Sequence, residues 1–120
     1  MTISTGSVDD AMKTLKTYSD RYGKKIWLTE FARRNTHNET EVIEFIQEFL
    51  PRLEWADFIW KYSWFLIRYY EGDTGDDTAS FWIDGTINTL LDFNEPKLSA
   101  VGRAYNNPWH MKQYKPDMLD

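Results

Sequence analysis

The apolar residues of the chain show two spacings in turn, one typical of helices and one typical of strands. From Ser7 to Tyr22 they recur at the spacing of one helical face, with Ser7 as a suitable N-cap and Gly23 as a helix stop. Residues 26–31 then form an almost continuous apolar run, which is typical of a strand buried on both faces in a parallel sheet. The pattern predicts an amphipathic helix that leads directly into a buried strand.

The same order repeats once further along the chain. A second helical stripe follows Asn38, a suitable N-cap, and Pro51 is expected to kink or shorten that helix. Residues 57–65 are rich in strand-favouring side chains, and Asp84-Gly85 is a turn signal. A last helix is predicted from Leu98 to Tyr105, capped by Ser99. Strands that alternate with helices in this way predict an α/β fold with parallel strands.

Glu30 is the one carboxylate that interrupts the first apolar run. A strand buried on both faces has no favourable place for a charge. Glu30 therefore lies either at the carboxyl end of the strand, where α/β sheets have their binding crevices, or in a buried ion pair with Arg33 or Arg34. The residues alone leave both alternatives open.

Aromatic residues are unusually frequent, since six Trp, seven Tyr and seven Phe make up 17% of the chain. They either fill the core or line a groove that stacks on flat ligands, sugars included. Because side chains alternate along a strand, Trp60, Tyr62 and Trp64 are predicted to share one face. Trp64 is nearest the carboxyl end and is expected beside Glu30.

Composition excludes several classes of function. The chain has 120 residues, enough for one domain, and a net charge of −5 without a basic stripe argues against nucleic-acid binding. No apolar run approaches the roughly 20 residues of a membrane span. There is no cysteine, the two histidines His37 and His110 are isolated, and the acidic loop 71–77 lacks the ligand spacing of an EF-hand. No cofactor and no metal ion are expected.

Three blocks in a fixed order carry a family resemblance. Residues 22–32 (YGKKIWLTEFA), 61–65 (KYSWF) and 98–105 (LSAVGRAY) resemble the alkali-sensitive-linkage-like glycosyl hydrolase catalytic domain, glycoside hydrolase family 128. Lys25 stands where that family usually has proline. The resemblance covers roughly residues 8–107 and is specific because three blocks agree in order and spacing.

The resemblance implies a (β/α)₈ TIM barrel glycosidase that acts on β-1,3-glucan, a polysaccharide of cell walls. The chain would correspond to the last two βα units, strands seven and eight with their helices, because a whole barrel needs about 250 residues. Residues 1–107 would then be the C-terminal part of the barrel domain, and 108–120 an irregular tail. Complete enzymes of this kind are secreted or cell-wall-associated; the first 25 residues lack the apolar core of a signal peptide, and the location of this chain is not predicted.

By the same resemblance, Glu30 is the nucleophile. A retaining glycosidase also needs a protonated carboxyl group about 5 Å away, and the family takes that general acid from strand four. No residue upstream of Ser7 is expected to supply such a strand. Asn94-Glu95-Pro96 has the form of an acid/base motif, but it follows the nucleophile strand and is predicted to be a loop.

The resemblance also implies a sugar-binding surface. Trp64 and Tyr62 are the predicted stacking residues near the cleavage point, with packing of Trp64 in the core as the alternative. Trp82 and Tyr69 are weaker candidates for the rim of a glucan groove.

Three functions compete at this stage. The first is a fragment of a retaining glycoside hydrolase, the second a non-catalytic carbohydrate-binding or structural remnant, and the third an unrelated α/β interaction domain. In a partial barrel the open strand edges would favour self-association.

Overall fold

The computed structural model describes residues 2–5, 7–66, 68, 75, 78, 82–92 and 95–106, and of residues 2–5 it describes the backbone alone. Tyr69, the acidic loop 71–77 apart from Gly75, and the predicted tail 108–120 lie outside the described residues. The elements in chain order are β1 (Thr2–Thr5), α1 (Val8–Tyr22), β2 (Ile26–Arg33), α2 (Glu39–Trp55), β3 (Ile59–Trp64), α3 (Gly85–Asn88) and α4 (Ala100–Asn106).

The described strands form one parallel sheet in the order β1-β2-β3, with β2 in the centre. The prediction of an α/β fold with parallel strands is thus confirmed. The sequence pattern does not predict β1, in which Thr2 pairs with Glu30 and Thr5 with Arg33. Four residues are too few to carry a periodic signal, and this strand is defined by its long-range pairing instead.

The two long helices begin and end close to where the sequence predicts. The Ser7 side chain accepts a hydrogen bond from the Asp10 amide at 3.3 Å, and Gly23 ends α1 in the left-handed conformation with φ 62°. Asn38 caps α2 in the same manner. The prediction that Pro51 shortens α2 is wrong, since the helix continues to Trp55.

The physical reason lies in the packing of α2. Leu50 and Leu53, on either side of Pro51, are almost completely buried. Arg52 extends its side chain to bind Asp9 of α1, whose pKa is lowered mainly by that hydrogen bond. The stabilisation from these tertiary contacts exceeds the free-energy cost of the backbone hydrogen bond that a proline removes from a helix.

The core lies between α2 and one face of the sheet. Phe31 of β2 is 1% exposed, and its ring meets the rings of Phe49, Tyr62 and Trp64 edge to face, with centroids 5.1 to 6.0 Å apart. Such edge-to-face contacts add to the burial of apolar area. These rings therefore pack on the helix-facing side of the sheet, whereas other aromatic side chains, among them Trp27, Trp55 and Trp60, are exposed.

The last part of the described chain closes this core from the side. Asp84-Gly85, predicted as a turn, instead begins the short helix α3, because the Asp84 side chain caps it. The predicted helix after Ser99 is confirmed as α4, and the Ser99 hydroxyl accepts the Gly102 amide at 2.9 Å. A side chain at Gly102 would collide with the Leu90 carbonyl, so α4 requires glycine there.

Candidate active site at the carboxyl end of the sheet

Glu30 lies where the pairing between β2 and β3 shifts by one residue. Leu28 pairs with Tyr62 and Phe31 with Trp64, so two residues of β2 stand opposite one residue of β3. An extra residue of this kind turns side chains away from strict alternation, and such bulges are frequent next to active sites.

The shift decides which way the Glu30 side chain faces. Leu28 and Phe31 are both buried against the helical layer, although three residues separate them, whereas Thr29 and Glu30 are exposed. Under strict alternation Glu30 would share the buried face of Leu28. The Ser63 hydroxyl donates to the Thr29 carbonyl at 2.6 Å and bridges the two strands at this point. Glu30 thus faces the open side of the sheet, next to the carboxyl end of β3.

The buried ion pair considered for Glu30 is not formed. Arg33 instead binds Glu41 at 3.3 Å and donates to the Arg34 carbonyl. Within the described part of the chain, no hydrogen bond or ion pair involves the Glu30 side chain. The carboxylate is therefore accessible to a ligand on the open face.

The predicted stacking residues of β3 lie on the other face. Trp64 is only 4% exposed, its ring packs against Phe31, Phe45 and Tyr105, and its indole Nε1 donates to the Asn88 carbonyl at 2.5 Å. The predicted sugar-stacking role of Trp64 is therefore corrected, because the core alternative describes its position.

Tyr62 shares that face with Trp64, as alternation predicts, but the face is the helix side. Its ring is half-buried, and its hydroxyl donates to Glu54 of α2. Burial, with a smaller effect of the Glu54 contact, raises the Tyr62 pKa far above its ordinary value. The side chains of β3 that face the open side are Lys61 and Ser63, both exposed.

The segment after β3 docks onto the loop that follows β2. The Asn35 amide donates to the Trp82 carbonyl at 2.9 Å, and the Trp82 amide donates to the Asn35 side chain at 3.0 Å. Asn88, fully buried, accepts the Arg33 amide at 3.3 Å and donates to the Asp84 carbonyl at 2.8 Å. Trp82 is thereby held against the loop that follows β2, and its role at the rim of a glucan groove stays a prediction.

His37 lies in an exposed loop, and its imidazole has two partners that the sequence does not indicate. Its Nδ1 lies 2.6 Å from Oδ2 of the buried Asp84, and its ring lies 4.5 Å from the ring of Trp82. The contact joins residues 47 positions apart, so no local pattern could have indicated it. The one available sequence signal was Asp84 before Gly85, which is a helix N-cap pattern.

The second candidate carboxylate, Glu95, lies in the loop that the sequence predicts. It binds Lys97 at 3.0 Å, and the flanking residues Leu91 and Leu98 form an antiparallel bridge. No group of three His, Asp or Glu side chains suited to a metal ion occurs among the described residues. No helix of the described ranges is long and apolar enough to cross a membrane.

Comparison with known proteins identifies the class to which this site belongs. A family model described as the glycosyl hydrolase catalytic core matches residues 3–105. The chain therefore belongs to the glycosyl hydrolase catalytic core family. No protein among the curated ones matches it.

The solved structures to which the chain is similar include enzymes of glycoside hydrolase family 128. An endo-β-1,3-glucanase of subgroup II from Sorangium cellulosum is 28% identical with a TM-score of 0.69, over 87% of this chain and 38% of that one. An exo-β-1,3-glucanase of subgroup V from Cryptococcus neoformans is 21% identical with a TM-score of 0.69, over 86% and 40%. A subgroup I endo-β-1,3-glucanase variant from Amycolatopsis mediterranei, in complex with laminaritriose and laminaribiose, is 22% identical with a TM-score of 0.58, over 87% and 42%.

These findings confirm the resemblance drawn from the three sequence blocks. The chain spans about two fifths of the length of the structures that it matches. Its α/β fold is the one expected of this family.

Proposed function

We propose that the chain forms the Glu30-bearing part of a retaining glycoside hydrolase that cleaves β-1,3-glucan. The observation that carries the proposal is the accessible, unpaired Glu30 on the open face of a parallel sheet in a chain of this family. In this assignment β2 and β3 are strands seven and eight of a (β/α)₈ barrel, and β1 is the strand before them. The open face would be the barrel interior, and its carboxyl end the active site, where TIM-barrel enzymes keep their catalytic groups.

The chemistry requires two carboxyl groups in opposite protonation states. Glu30 would attack the anomeric carbon as a carboxylate and form a covalent glycosyl-enzyme, while a protonated carboxyl group gives its proton to the departing oxygen. Water then releases the sugar with the second group acting as a base. Exposure suits Glu30 to the first role, because an attacking carboxylate must be able to reach the anomeric carbon.

The general acid is proposed to lie outside this chain. Glu95, the candidate by motif, is bound to Lys97 in an exposed loop rather than at the end of a strand, where TIM-barrel enzymes keep their catalytic groups. We therefore expect the isolated 120-residue chain to release no reducing ends from β-1,3-glucan above the uncatalysed rate. Steady, Glu30-dependent hydrolysis in a reducing-sugar assay of the purified chain would contradict this expectation.

A chimera tests the proposal directly. This chain would replace the matching 38% of the Sorangium cellulosum glucanase, which supplies the remaining barrel and its general acid. We expect the folded chimera to hydrolyse β-1,3-glucan and to release products that first appear as the β-anomer, as a retaining enzyme requires. A chimera that folds by circular dichroism and binds glucan without hydrolysing it would instead support the non-catalytic, carbohydrate-binding alternative.

Self-association through the open sheet is the proposed behaviour of the chain by itself. β1 and β3 are the edges of the described sheet, and the exposed rings of Trp27 and Trp60 meet at 5.8 Å beside β3. Unpaired edges and exposed aromatic rings favour pairing with a second copy. We expect sedimentation velocity to show concentration-dependent dimers that Trp60→Glu weakens, whereas Trp55→Glu, at an equally exposed site on α2, leaves them intact. A monomer at all concentrations would refute this.

A further inference from the structure

The side chains of His37, Trp82 and Asp84 form a cluster that has no part in the chemistry proposed for Glu30. The imidazole of His37 lies against the indole of Trp82, with ring centroids 4.5 Å apart and planes tilted by 30°. The same imidazole reaches Asp84 through Nδ1 at 2.6 Å. The His37 side chain is 48% exposed and that of Asp84 only 4%. The imidazole therefore lies at the surface and is held by a buried carboxylate.

Hydrogen bonds other than the one to His37 hold Asp84 in place. Its Oδ1 accepts the Thr86 amide at 3.0 Å and the Thr86 hydroxyl at 2.6 Å. Its carbonyl accepts the side-chain amide of the buried Asn88 at 2.8 Å. Oδ2 is the oxygen that receives His37, so a neutral imidazole must carry its proton on Nδ1 to donate that hydrogen bond.

Trp82 is fixed through its backbone, which leaves its ring to be oriented by neighbours. Two hydrogen bonds with Asn35 hold the Trp82 backbone, and Asn35 itself adopts φ 55°, a conformation that asparagine tolerates better than most residues. On the indole, Gly75 approaches so closely that an added Cβ would lie 3.2 Å from Cε3. His37 contributes a ring contact to Trp82 and links it to Asp84 through a hydrogen bond.

We propose that His37 is a positioning residue that, tethered by Asp84, fixes the indole of Trp82 so that it stacks on a sugar of a bound β-1,3-glucan. The inference rests on the proposed function and deepens it. Glu30 and Asn35 are five residues apart in sequence, so their Cα atoms lie within about 17 Å of each other. Trp82 is thus close enough to Glu30 to contact the same glucan chain, and His37 is expected to affect substrate binding rather than bond cleavage.

The test uses the purified chain and a β-1,3-linked gluco-oligosaccharide in calorimetric titration. His37→Ala removes both the ring contact and the tether, and we expect about three- to tenfold weaker binding, as for the loss of one aromatic contact. His37→Phe keeps a flat ring on the indole without the tether and is expected to bind with intermediate affinity. His110→Ala, at the second histidine of the chain, is the matched control and should bind like the unaltered protein.

A spectroscopic signature separates positioning from a merely structural role. Ring ¹⁵N spectra should show His37 as the Nδ1–H tautomer in the unaltered chain, with signals assigned by their loss in His37→Ala and persistence in His110→Ala. In Asp84→Asn the side-chain amide can still accept from Thr86 and now donates to Nδ1, so His37 should change to the Nε2–H tautomer. The indole of Trp82 should keep its contact to the imidazole in both proteins.

The outcomes are distinct. Unchanged glucan affinity in His37→Ala, or an Nε2–H tautomer in the unaltered chain, would overturn the positioning inference and leave the proposed function standing. Absence of glucan binding by the unaltered chain would overturn the sugar role of Trp82, whereas the proposed function fails only if the chimera neither hydrolyses nor binds glucan. Weaker binding in His37→Ala together with the tautomer change in Asp84→Asn supports the inference.

Discussion

In the glucanase chimera, Glu30→Gln is expected to lower kcat for β-1,3-glucan hydrolysis about a thousandfold or more. The amide keeps the size of the side chain and removes the charge that attacks the anomeric carbon and stabilises the positive transition state. Because the Glu30 side chain is exposed and forms no hydrogen bond or ion pair with the described residues, the substitution should leave the melting temperature and the glucan affinity nearly unchanged. Initial rates of reducing-sugar release over a range of glucan concentrations provide the measurement.

Glu95→Gln is the matched control for that experiment. Glu95 is an exposed carboxylate like Glu30, but its contact is with Lys97 in a loop, and exposed ion pairs contribute little to stability. We expect full activity in this variant. A large loss of activity in Glu95→Gln, together with normal rates in Glu30→Gln, would reverse the assignment and make Glu95 the catalytic group.

Trp64→Ala is expected to lower the free energy of unfolding by about 3–5 kcal/mol, a large share of the stability of a small domain. The indole is 4% exposed between β2, α2 and α4, so its removal leaves a cavity lined by aromatic rings. The Asn88 carbonyl also loses the indole N–H as its donor. Urea unfolding followed by circular dichroism measures the change from the shift of the midpoint at equal slope.

Trp60→Ala makes the same substitution on the same strand at a residue that is 59% exposed. Trp60 is the extra residue where Ile26 pairs with Ile59 and Trp27 with Lys61, and its ring meets that of Trp27. We expect its removal to cost less than about 1.5 kcal/mol. Equal losses from the two substitutions would show that burial does not distinguish these tryptophans.

Much of the local structure could be read directly from the sequence. The caps Ser7, Asn38 and Ser99 and the stop at Gly23 define helix ends through hydrogen bonds that span only a few residues. The two predicted strands are found as β2 and β3, but the expected burial on both faces is wrong for the described residues, since Trp27, Thr29 and Glu30 of β2 are exposed. The three family blocks also identify Glu30, since they require nothing beyond residue order.

The candidate site required more than local information. Alternation correctly placed Tyr62 and Trp64 on one face, but it could not say which face is open, because the helices decide that by packing on Phe31. The direction of the Glu30 side chain depends on a one-residue shift in the pairing of β2 with β3. That pairing cannot be read from either strand alone.

The sequence by itself determined the helices, the two central strands and the identity of the candidate nucleophile, because these depend on contacts within a few residues. Only the tertiary structure decided that β1 exists, that Trp64 is core, that α2 passes through Pro51 and that His37 meets Asp84. Each of these depends on partners far away in the chain, such as the 47 positions between His37 and Asp84. These contacts stabilise the fold only when the sheet and α2 have packed together, so the periodicity of a single segment does not indicate them.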